Sequence, residues 1–117
     1  MEEITDIVAI HELAEEFDEE TARELASAFL EDTASAFTQI DQGVEAKDHE
    51  SVRRAAHMLK GCSRVIKASI CERASRELEV EAAAGNWESI PARISDLRQA
   101  YASTETFLHS YIEGRSG

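Results

Sequence analysis

Ser51-Val52-Arg53-Arg54-Ala55-Ala56-His57-Met58-Leu59-Lys60-Gly61-Cys62-Ser63-Arg64-Val65-Ile66-Lys67 is the stretch that decides the fold. At about 100° per residue, Val52, Ala55, Ala56, Leu59, Cys62, Ser63 and Ile66 fall in one sector, which makes them the buried face of a helix over about 49–67. His57 points roughly the other way. On its side lie Arg53 one turn before, Lys60 at i+3, Gly61 at i+4 and Arg64 two turns on. An interior helical glycine costs about 1 kcal/mol relative to alanine and is kept chiefly where something must come close. Gly61 removes a side chain directly beside His57.

The same periodicity extends outward. Ile4, Ile7, Val8 and Leu13 among acids predict a short first helix over about 4–17. Asp18 is a plausible N-cap, with Glu19, Glu20 and Glu24 in and near the favourable first turn. After it, Ala22, Leu25, Ala26, Phe29, Ala36, Phe37, Ile40 and Val44 predict a long helix that Gly43 bends or ends. Ala46-Lys47-Asp48 is the connection, and Asp48 caps the helix that carries His57. Beyond that helix, a segment from about Ser69 to Ala84 has a stripe of Ile70, Cys71, Ala74 and Leu78, and Gly85-Asn86 stops it. A last helix starts near Ser89, tolerates Pro91 in its first turn and repeats Ile90, Ile94, Leu97, Tyr101, Thr104, Leu108 and Tyr111 in steps of four and three. Such a seam also suits a coiled-coil dimer, but short connections let the helices bury one another within one chain.

The 117 residues make one domain, 1–117, with its core over about 18–113. One proline and five glycines disfavour a many-stranded β fold, so the chain reads as all-α. A formal charge of −12 repels nucleic-acid phosphate and anionic lipid. The most apolar stretch, Leu25–Leu30, falls far short of the roughly 20 residues that span a bilayer. Met1-Glu2-Glu3 is acidic where a signal peptide is basic, so a cytoplasmic location is expected. The initial Met1 and the lack of a leading linker favour a free-standing protein. Cys62 and Cys71 form no C-x-x-C pair and read as core thiols. Charge is unevenly spread: residues 1–50 hold 16 acids and two bases, whereas 51–67 hold five bases and no acid. A basic island lies in an acidic chain.

His11, His49 and His109 read as solvated. His57 has cations and clearance around it, which gives a nucleophilic imidazole room for an incoming phosphoryl group and charge to neutralise it. Positive neighbours also favour the neutral ring, the form that attacks. On position alone, an ordinary surface histidine fits as well.

At His57-Met58-Leu59-Lys60-Gly61-Cys62-Ser63 the sequence resembles the histidine-containing phosphotransfer (HPt) family, whose signature is close to His-x-Leu-Lys-Gly-Ser-Ser. Ala55-Ala56, Phe29-Leu30-Glu31, Asp48, Leu78-Glu79 and Gly85-Asn86 extend the resemblance over most of the chain. The resemblance implies a helical bundle with an antiparallel four-helix core, here with a short additional N-terminal helix. It implies that His57 accepts a phosphoryl group from one receiver-domain aspartate and passes it to another, that Lys60 stabilises the group and that Gly61 gives the partner access. Ser63 matches a small polar position of the motif, although the helical wheel turns it inward. Glu79 matches an acid that orients the imidazole in some members, with a solvated residue as the alternative. Arg64 matches no family role and is a candidate only because it shares the His57 face. Two departures stand out: Cys62 replaces the first small serine, and Lys67, before Ala68, replaces a glycine, so the turn there is free to differ in shape.

The implied partners are receiver domains of response regulators and of hybrid sensor histidine kinases, met by a monomer. Arg53, Met58 and Val65 are candidates for docking them. No nucleotide-binding loop such as G-x-x-x-x-G-K-[ST] occurs, so a phosphohistidine carrier without its own ATP-dependent kinase activity is expected. No cofactor is expected on this chain, and Mg²⁺ belongs in the receiver's acidic pocket. Three other readings compete with this one. A helical adaptor would use the basic face of the His57 helix to bind an acidic partner without phosphotransfer. A dimeric kinase core is opposed by Ala14-Glu15-Glu16, which stands where the motif after His11 needs Arg-Thr-Pro. A di-iron bundle lacks its Glu-x-x-His pattern.

Overall fold

The computed structural model describes residues 12, 15, 16 and 18–113. Among these, Glu12, Glu15 and Glu16 are helical, and the rest of the expected helix over 4–17, with His11, lies outside the described residues. Four long helices follow, with no strand among the described residues: α1 (Glu19–Glu45), α2 (His49–Val65), α3 (Ser69–Ala83) and α4 (Ile90–Ile112). Each packs on the next, and α1 closes on α4, so the four form a helical bundle.

The caps of α1 and α2 follow the sequence, whereas Ser89 at the start of α4 makes no side-chain capping bond. The Asp18 carboxylate accepts from the Thr21 amide at 2.7 Å, and Asp48 accepts from the Ser51 amide at 3.2 Å, each satisfying a donor that the helix start leaves unpaired. Gly43, expected to bend or end α1, does not end it: it lies buried inside α1, which runs on to Glu45. A Cβ there would stand 2.9 Å from Val52 Cγ2, so the glycine permits close approach to α2.

The ends of α1, α2 and α3 share one device. Lys47, Lys67 and Gly85 all have positive φ, at 57°, 63° and 66°. After each comes an amide that reaches back five residues: Asp48 to Gly43 O (2.8 Å), Ala68 to Ser63 O (2.8 Å) and Asn86 to Glu81 O (3.0 Å). These are Schellman ends, which pair carbonyls that the last turn leaves open. Lys67 therefore ends α2 at Val65, two residues before the expected boundary. The turn keeps a left-handed conformation natural to glycine, although a lysine occupies it.

Two apolar clusters fill the bundle. One gathers Ile40, Val52, Leu59, Leu78, Ile90 and Leu97, and the other Phe29, Ile66, Cys71, Leu108 and Tyr111; Tyr101 packs against both. Burial of each large aliphatic chain stabilises by about 1.5–3 kcal/mol. The stripe of α3 differs slightly from expectation: Ile70 is only half-buried, whereas Ser75 and Ala82 are fully covered. Cys71 is a core thiol near Thr104, and Cys62 is half-buried 4.0 Å from Asp32 Oδ2. Burial, then the Asp32 charge, pushes the Cys62 thiol up, which keeps it in its unreactive form.

His49 corrects the expectation of a solvated side chain. It is half-buried, and its Nδ1 lies 2.8 Å from Ala82 O. A carbonyl only accepts, so Nδ1–H donates and ties the start of α2 to the end of α3. Its ring also covers Gly85. His109 is exposed as expected, 3.7 Å from Glu105.

Candidate functional site

The buried face of α2 is Val52, Ala55, Ala56, Leu59 and Ser63, continued by Ile66 at its end. With that face fixed against the bundle, His57 must turn outward, and its side chain is 64% exposed. It is not left loose. Glu79, which α3 presents one residue beyond the buried Leu78, places Oε2 2.8 Å from His57 Nδ1 and Oε1 2.8 Å from Lys60 Nζ. One carboxylate thus bridges two residues of α2.

This bridge has chemical consequences. Burial pushes the Glu79 carboxyl up, but hydrogen bonds from Lys60 and His57 outweigh it and hold the group below its ordinary range. An ionised carboxylate only accepts, so Nδ1 carries a proton donated to Glu79. In the neutral ring the lone pair is then on Nε2, which makes no hydrogen bond among the described residues. Glu79 is therefore no solvated residue, and Lys60, expected to face solvent, has only 21% of its side chain exposed.

Gly61 sits beside this group, and a Cβ built on it meets nothing within 4 Å. The space there is open to whatever approaches His57. Met58 and Val65 are exposed, at 39% and 56%, and Ser63 is buried at 1% as the helical wheel requires.

The basic island is not bare. Arg53 Nε donates to both Glu50 oxygens at 3.1 and 3.0 Å, Arg54 lies 3.6 Å from the same carboxylate, and Lys67 Nζ meets Glu16 at 3.1 Å. Arg64 Nε donates to Glu72 Oε2 at 2.9 Å, which ties the candidate to α3. Five cations without an acid in their own stretch of sequence are thus paired in space. Glu50, Glu72 and Glu79 supply most of the compensation. Their signal in the sequence was available: Glu72 and Glu79 are seven residues apart, two turns on one face of α3. That this face meets α2 depends on tertiary packing.

Among the described residues no three His, Cys, Asp or Glu side chains gather as a metal site. A groove lined by Arg76, Glu77, Val80, Glu81 and Arg93 involves none of the residues around His57. No helix among the described residues is long and apolar enough to cross a membrane. A family model described as the Hpt domain matches residues 24–106. The comparisons with curated proteins and with solved structures gave no match.

Proposed function

The chain belongs to the Hpt domain family, and from that premise we propose that His57 accepts a phosphoryl group on Nε2 from a receiver-domain aspartyl phosphate and passes it to a second receiver-domain aspartate. The family's role is phosphotransfer in two-component signalling, and Hpt domains interact with receiver domains of phosphorelay proteins. The observation that carries the specific reading is the outward imidazole whose Nδ1 is held by Glu79 while Nε2 faces open space beside Gly61.

In the transfer, the Nε2 lone pair forms the N–P bond as the P–O bond of the donor breaks, with its electron pair leaving on the aspartate oxygen. The protein mainly supplies position. Glu79 selects the tautomer and aims the ring, Lys60 offers charge to the phosphoryl oxygens, and Gly61 admits the partner's active site. Ser63 contributes only its small size on the buried side. Arg53, Arg64, Met58 and Val65 form the rim that meets the partner, apolar groups giving contact and cations complementing an acidic receiver pocket, where Mg²⁺ is expected. The monomer, in the cytoplasm, acts as a carrier. The ion pairs run in opposite senses along two helices, His57 and Lys60 with Glu79 and Arg64 with Glu72, which supports the antiparallel arrangement of the bundle.

Incubation with a phosphorylated receiver domain should label this protein through an acid-labile, base-stable bond, and His57→Gln should abolish the label. A wild-type protein that stays unlabelled by every receiver of its source would sink the reading. Partner binding that survives His57→Ala without any labelling would instead favour the adaptor.

A further inference from the structure

Lys60 and His57 share a single counter-ion. Glu79 gives one oxygen to each at 2.8 Å, and Lys60 and Glu79 are largely covered whereas the ring is open. The other cations of this face have carboxylates that do not touch the ring: Arg53 and Arg54 are on Glu50, and Arg64 is on Glu72. Among the described residues, Lys60 is therefore the cation whose partner also holds His57. A lysine ammonium is a point charge on a flexible four-carbon stem, able to re-aim without rebuilding the helix. At i+3 it lies on the same side of α2 as the imidazole.

Phosphorylation changes the charge balance around Glu79. When the ring is in the neutral form that attacks, the carboxylate faces one cation, Lys60, and an uncharged imidazole. When Nε2 forms its bond to phosphorus, Nδ1 keeps its proton, so the ring becomes cationic against Glu79 and a dianionic phosphoryl group arrives on its far side. Glu79 then has two cationic partners, and Lys60 has two anionic ones.

We propose that Glu79 is a positioning residue for Lys60: it holds the ammonium off the phosphoryl position while His57 is unloaded and yields part of it to the phosphoryl oxygens once the ring's own charge competes for the carboxylate. This rests on His57 being the acceptor and adds to that reading a stored cation, shared out only in the loaded state. Competition for one carboxylate is the physical cause, because a cation near two anions divides between them according to distance and charge.

The test needs no partner protein. Phosphoramidate is a small N–P donor from which His57 Nε2 takes the phosphoryl group with ammonia as the leaving group. The titration of the bound phosphoryl group is then followed by ³¹P NMR in the native protein, Lys60→Ala, Glu79→Gln and the double variant, with circular dichroism to verify that each is folded. Glu79→Gln retains an oxygen for Nδ1–H but no charge for Lys60. A cation within hydrogen-bond reach lowers such a midpoint by about one pH unit. Lys60→Ala should raise the midpoint in the native background, and should raise it further in the Glu79→Gln background, where the ammonium serves the phosphoryl group alone. Equal shifts in both backgrounds, or no shift in the native one, overturn the proposal while leaving a phosphohistidine signal in place. A native protein that shows no phosphohistidine signal from His57 overturns the acceptor assignment and the proposal together.

Discussion

Gly61 and Gly43 both sit in helical backbone, yet opposite constraints keep them there. At Gly61 the space beyond Cα is empty, so nothing inside the fold requires a glycine. Gly61→Ala should therefore raise stability by about 0.5–1 kcal/mol, read from urea unfolding. Gly61→Gln should slow phosphoryl transfer from a receiver while helicity stays level or rises. A wild-type rate in that variant would show that clearance is not what the glycine supplies. Gly43→Ala should do the reverse of Gly61→Ala, destabilising by about 1–3 kcal/mol because its methyl group runs into Val52. The sequence announces both glycines equally. Gly61 was readable because its neighbours on the same helix gave it meaning, whereas the neighbour that fixes Gly43 comes from α2.

Among the elements, the three helix ends show how far local sequence reaches. Gly85 is a stop signal because glycine enters left-handed backbone without steric cost. Lys47 and Lys67 occupy the same conformation with side chains that resist it, and only the bundle's demand for tight reversals accounts for them. Lys67→Gly should stabilise the protein by about 1 kcal/mol, visible as a raised Tm. The ion pair it gives up with Glu16 is exposed and contributes little. Lys47→Gly should gain less, because the Lys47 ammonium lies 5.1 Å from the centre of the Trp87 ring and that contact is lost. A fall in Tm for Lys67→Gly would mean that its side chain matters more to the end of α2 than its backbone.

For the whole molecule, acid and base are balanced by packing rather than by position along the chain. Among the described residues, three carboxyls are held below their ordinary range: Glu79 against its burial by Lys60 and His57, Glu50 by the hydrogen bonds of Arg53, and Asp18 by the Thr21 amide it caps. A carboxyl lowered in the folded state adds stability that is full above its unfolded value, 4.5 for Glu79, and is lost as pH falls through the folded value. The native protein should therefore lose stability on acidification below about pH 4.5 more steeply than Glu79→Gln, and the gap between the two should narrow there. Parallel curves from pH 6 to pH 3 would show that the bridge to His57 and Lys60 adds nothing to folding.

By itself the sequence determined the four helices, the two Asp caps, the buried face of α2 and hence the outward direction of His57. All of these follow from a 3.6-residue period and from groups within a few residues of one another. The tertiary structure alone decided what surrounds the imidazole: that Glu79 bridges it to Lys60, that Glu72 meets Arg64, that Gly43 is pressed by Val52 and that His49 is drawn under α3. Each of those contacts joins residues on different helices, and a one-dimensional pattern gives the direction of a face but not the face that lies opposite.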